Sequence, residues 1–159
     1  MDPKALTFGA IAGAIVWEIL KQTIAVIAKR TQDSQESRRK MLRDDVEHVV
    51  RLVCEILEAS VGYYATAFGT ERASELSRQI RAKSKTAGMK LSAVNVQLVA
   101  FNKQPVDVGL WTTFKAAAAR HLDVKRSAVW KDDDPRLAEI YKAAHHVHGS
   151  LNHARYANA

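Results

Sequence analysis

The sequence predicts an all-α chain: an N-terminal membrane helix followed by a four-helix antiparallel bundle. Three observations carry this. An apolar stretch, Phe8–Ala28, lies near the amino terminus; apolar residues recur at three- and four-residue steps through most of the remaining chain; and the 159 residues include only three prolines and seven glycines. No segment alternates apolar and polar residues like a half-buried strand. The length suits one domain plus an appendage, and the pattern divides it into a membrane-spanning or interfacial helix over 1–29, a basic helical extension over 30–41 and a bundle over 42–159.

The stretch FGAIAGAIVWEILKQTIAVIA is 21 residues long, which at about 1.5 Å per residue matches the ~30 Å hydrocarbon core of a bilayer. Only Lys4 precedes it, whereas Lys29, Arg30, Arg38, Arg39, Lys40 and Arg43 follow. Cations flanking one end place that end inside, so the C-terminal domain is expected on the cytoplasmic side of a single-pass span. A cleaved signal peptide fits less well, because MDPK has little net charge and no small-residue cleavage site separates the apolar stretch from the rest. Glu18 and Lys21 each oppose insertion by ~2.5–3.5 kcal/mol, against ~0.3–0.6 kcal/mol gained per large aliphatic residue, so the helix is a poor solitary anchor. Helical winding gathers Thr7, Ala14, Glu18, Lys21, Gln22, Ala25 and Lys29 into one polar stripe. Gly9 and Gly13 form a small-xxx-small pair on a separate flank with Val16 and Leu20, which favours close helix contact. Three placements compete: a span in a homo-oligomer whose polar stripes face one another or water, an interfacial helix, and a soluble core helix.

After a polar extension, Leu42, Val46, Val49, Val50, Val53, Ile56, Leu57 and Val61 mark a helix ending near Gly69, with Tyr63, Tyr64 and Phe68 closing its core. Thr70 is a predicted N-cap for a second helix running to about Asn102 through Ala73, Leu76, Ile80, Ala87, Leu91, Val94, Leu98 and Phe101. Gly88 inside it marks a bend or a close contact. NKQPVD breaks the pattern, Asp107 caps a third helix through Leu122, and DVKRSAVWKDD links to the last. There Asp134 and Pro135 supply an N-cap and a first-position proline, and Leu137, Ile140, Tyr141, Ala144, His148, Leu151 and Arg155 share a face.

With 47% apolar and 26% charged residues the chain is ordered rather than disordered. Cys54, the single cysteine, has no disulfide or ligand partner, fits a reducing compartment, and reads as a small core residue. A net charge of +7 attracts anions. The candidate contacts to anionic phospholipid or nucleic acid are the cations at 29, 30 and 38–40, with Arg78, Arg81 and Lys85 on the second helix. His145, His146, His148 and His153 do not converge as a metal set requires, so no metal or cofactor is expected. No Gly-rich phosphate loop or nucleophile elbow is present.

The run Arg43-Asp44-Asp45-Val46-Glu47-His48 resembles the Arg, four residues, His motif of HEPN ribonucleases, which implies Arg43 and His48 as candidate groups acting on an RNA phosphodiester. The whole layout, an N-terminal span, a basic extension and a compact helical bundle, resembles small membrane effectors and accessory proteins of bacterial antiphage defence, HEPN-like membrane pore proteins among them. The resemblance implies a homo-oligomer that permeabilises the bacterial inner membrane, with Glu18, Lys21 and Gln22 facing one another or lining a pore. A membrane-tethered scaffold for a cytoplasmic protein or RNA partner and a HEPN-like ribonuclease are the alternatives.

Overall fold

The computed structural model describes residues 3–126, 128–131 and 133–156, and for 3–19 the backbone only. Four helices form: α1 (Pro3–Tyr64), α2 (Glu71–Ala100), α3 (Val108–Ala119) and α4 (Pro135–Tyr156). No strand occurs among the described residues. The chain divides into two units, residues 1–40 and residues 41–159. The first holds the N-terminal part of α1; the second holds the rest of α1 with α2, α3 and α4, an all-α bundle of four helical segments. The polar extension after Ala28 is helical, so the first bundle helix and the N-terminal helix are one continuous element.

Among the described side chains, burial begins at Leu42. From there Val46, Val49, Val53, Ile56 and Tyr63 are buried at helical spacing, together with Leu76, Ile80, Leu91, Val94 and Leu98 of α2. Ion pairs report the packing direction: Lys90 bonds Asp45 at 3.3 Å and Lys83 bonds Glu55 at 2.7 Å, so residue numbers fall along α2 as they rise along α1. Arg155 of α4 reaches Glu47 at 3.3 Å.

Helix ends follow local chemistry. The Thr70 hydroxyl accepts from Ala73 N at 3.2 Å and caps α2. Thr70→Ala is expected to lower stability by about 1 kcal/mol, and a urea titration that leaves the midpoint unchanged would remove that role. At its other end α2 closes in a Schellman motif. Lys103 N donates to Leu98 O and Asn102 N to Val99 O, with Asn102 at φ 53; asparagine is among the few non-glycine residues that tolerate this left-handed conformation. Asp107 accepts from Gly109 N at 2.7 Å and starts α3. Gly88 is a close contact: a Cβ there would sit 3.3 Å from Trp111 Nε1.

Three expectations need correction. The helix from Leu42 ends at Tyr64, not near Gly69, and Phe68 is exposed rather than closing the core. The carbonyls that would continue the helix are taken otherwise: Thr66 N closes a tighter turn on Tyr63 O, and Trp130 N donates to Tyr64 O at 3.0 Å. Gly69, at φ 85, then turns the chain into α2. α3 stops at Ala119, and Leu122 is buried from the following turn instead. Cys54 and Tyr141 are exposed: each lies one residue, about 100° of helical winding, from the buried row that Val53 and Ile140 occupy.

Candidate functional site

Two regions combine exposed or charged groups in ways that packing alone does not require. The first is the N-terminal part of α1. Every described side chain from Leu20 to Met41 is exposed, and Leu20, Ile24, Val26 and Ile27 are 47–59% exposed. Winding at about 100° per residue sets Leu20, Ile24 and Ile27 on the side opposite Gln22 and Lys29, with Lys21 at the flank. The result is an amphipathic helix whose apolar row is uncovered. Of the predicted stripe and contact residues, Lys21 and Gln22 are exposed, while the side chains of Glu18, Gly9 and Gly13 lie outside the described residues. Lys29, Arg30, Arg38, Arg39, Lys40 and Arg43 are exposed and fall on more than one face of the helix. Among the described residues no helix is long and apolar enough to cross a membrane. The expected span Phe8–Ala28 lies largely outside the described side chains.

The second region is organised by Trp130, which lies in the stretch predicted to be a linker. Its ring stacks on Tyr64 with centroids 3.9 Å apart and planes 5° from parallel, and the Arg136 guanidinium sits 4.0 Å from the same centroid. Two groups that close must occupy opposite faces, so the indole is sandwiched. Beside it, Arg126 donates to the carbonyls of Tyr63, Tyr64 and Thr66 at 3.0–3.2 Å and lies 4.4 Å from the Tyr63 ring centroid. Tyr63 O and Tyr64 O have no partner within α1, whose negative end favours a cation; outside the helix they also accept from Thr66 N at 3.1 Å and Trp130 N at 3.0 Å. The Tyr63 and Tyr64 hydroxyls donate to Leu122 O and Ala118 O, and burial pushes the Tyr64 phenol up to about 12.

A cleft of about 540 Å³ opens here, with Lys125, Lys131, Asp134 and Arg136 among its lining. Arg136 grips Asp134 through two hydrogen bonds of 2.8 and 2.6 Å, and this grip holds the Asp134 carboxyl down at about 2. With Arg126 committed to carbonyls and Arg136 to Asp134, the cluster is a clamp joining the end of α1 to the start of α4. Because the Asp134 carboxyl is held below its ordinary value of 3.8, it contributes stability that is complete above that value and is lost as pH falls toward 2. Asp134→Asn keeps an N-cap and removes the charge. The stability gap between wild type and variant should therefore be constant above about pH 4 and narrow below it, and parallel melting curves from pH 5 to 2 would refute the assignment.

Other predicted residues are not brought together. Arg43 and His48 lie five positions apart on α1, about 140° around the helix, with Arg43 exposed and His48 half-buried. Arg78, Arg81 and Lys85 are exposed on α2, and Arg81 pairs with Asp123 at 2.7 Å. His145 and His148 line a small cleft of about 240 Å³ with Cys54 and Tyr141, and His148 Nδ1 lies 3.2 Å from the Asn152 amide nitrogen. Among the described residues no three His, Cys, Asp or Glu side chains form a set able to hold a metal ion. No family model, curated protein or solved structure matches the chain.

Proposed function

We propose that this chain is a membrane-associated helical protein that self-associates through the N-terminal part of α1 and perturbs an anionic bilayer. The observation that carries the reading is the uncovered apolar row Leu20, Ile24 and Ile27 on a helix with a polar opposite side, followed directly by a cluster of exposed cations. Exposed apolar rows of this kind are stabilised only when a bilayer or another helix covers them. The cations add attraction to anionic headgroups, about 1 kcal/mol for each one near the surface. Self-association turns the polar stripes of several helices toward one another and gives water a path, so leakage is the output.

The test uses the full chain with anionic and zwitterionic vesicles. Flotation with the anionic vesicles and release of an entrapped dye are expected. Glu18→Leu combined with Lys21→Leu should retain binding and lose the leak, because it makes the stripe apolar. A monodisperse monomer without detergent that ignores both vesicle types would overturn the proposal, and unchanged leakage from the double variant would remove the stripe from the mechanism.

A further inference from the structure

The bundle carries an apolar groove that the membrane reading does not use. It runs between α2 and α3 and has a volume of about 470 Å³, with Gly88, Leu91, Val96, Val99, Val108 and Trp111 in its walls and floor. Val96 is 69% exposed, and Val99 and Val108 are more than half exposed. Valines are poor choices for a solvated helix face, since they bring neither charge nor strong helix propensity.

The groove is built rather than incidental. The Asn95 side chain both donates to Val106 O and accepts from Val106 N, each at 2.9 Å, which fixes the loop after α2 and sets Val108 beside Val99. Gly88 lets Trp111 lie against the α2 backbone, and any side chain there would press on the indole. The Trp111 indole N–H, at the groove floor, has no hydrogen-bond acceptor among the described residues.

Charge selects the occupant. Lys85 precedes Gly88 by three residues and Lys115 follows Trp111 by four, so each shares the groove-facing side of its helix; both are exposed. Asp107, the nearby acid, is occupied as the α3 cap. The groove is thus apolar at the Val96, Val99 and Val108 end and cationic at the other.

We infer that this groove docks an amphipathic helix of another protein, one that carries acidic residues beside its apolar face. Such a helix lays its apolar side chains on the valines and its carboxylates against Lys85, Lys115 and the Trp111 N–H. A second copy of this chain fits poorly, because face-to-face pairing sets Lys85 and Lys115 against the other copy's lysines or its valines. The inference is independent of the membrane proposal, as the residues concerned are all in α2 and α3.

The experiment titrates the full chain with two synthetic helical peptides that share one leucine face and are flanked by glutamates in one and lysines in the other. The indole signal of Trp111, assigned through Trp111→Phe, is followed by NMR. The glutamate peptide should shift that signal and bind at least ~10-fold more tightly than the lysine peptide, a difference of about 1.4 kcal/mol. Val99→Asp should abolish the shift, and Val96→Asp, at a still more exposed site, repeats the test with the fold checked by circular dichroism. Lys85→Glu with Lys115→Glu should reverse the preference. Equal affinity for the two peptides, binding that survives both aspartate variants, or a concentration-dependent dimer dissolved by Val99→Asp would each overturn the inference.

Discussion

Trp130→Ala is expected to lower stability by about 3–5 kcal/mol, the range for removing a large aromatic side chain from a packed interior. The indole is 6% exposed and touches three groups from separate parts of the chain: Tyr64 of α1, His121 after α3, and Arg136 of α4. Its loss leaves a cavity bounded by backbone that is already tied down, since Tyr64 is fixed by its hydroxyl bond to Ala118 O. The walls therefore collapse poorly, which places the cost in the upper part of the range. In thermal unfolding this corresponds to a fall in Tm on the order of 10–20 °C. Trp130→Phe keeps a stacking ring on Tyr64 and should recover much of the loss. A urea midpoint for Trp130→Ala within experimental error of wild type would show that the sandwich is not stabilising.

The contrast between this cluster and the rest of the bundle explains what the sequence could and could not reveal. Leu42 through Tyr63, and Ala73 through Leu98, repeat every three or four residues, so periodicity alone identifies their buried faces. The caps at Thr70 and Asp107 are equally local, because a side-chain oxygen bonds an amide two or three residues away. Trp130 and Arg126 lie in an irregular segment where no period exists. Their partners are 60 or so residues distant in the chain, as the bonds from Arg126 to Tyr63, Tyr64 and Thr66 show. A tryptophan in a polar linker was the one available signal, since so large an apolar group is rarely left in water. Cys54 and Tyr141 illustrate the opposite limit: apolar character placed them in the core, yet one residue of helical phase leaves both at the rim of a cleft. The groove between α2 and α3 was illegible for a related reason. Val96 and Val99 belong to a helix whose core face is already complete, and only the position of α3 gives them a shared function.

Ile24→Asp combined with Ile27→Asp is expected to weaken binding to anionic vesicles by at least ~100-fold. Both isoleucines are more than half exposed on α1, so neither change disturbs the bundle core. In a bilayer interface each would bury a side chain worth about 1.5–3 kcal/mol, and each aspartate adds a charge that anionic lipid repels. The double loss is thus about 3–6 kcal/mol, or two to four powers of ten in affinity. Replacing Lys29, Arg30, Arg38, Arg39 and Lys40 by glutamine should act differently. Headgroup attraction is screened beyond a distance of about 8 Å at physiological ionic strength, so the glutamine variant should match wild type at high salt and fall below it at low salt. The aspartate variant should remain weak at both. Vesicle flotation at two salt concentrations separates these terms. If the aspartate variant floats like wild type, the apolar row is not what meets the membrane, and its exposure has to be explained by helix–helix contact alone. In that case cross-linking of Ile24→Cys, with the exposed Cys54 replaced by serine, should trap a dimer in the absence of lipid, whereas a row that meets lipid should cross-link only when vesicles are present.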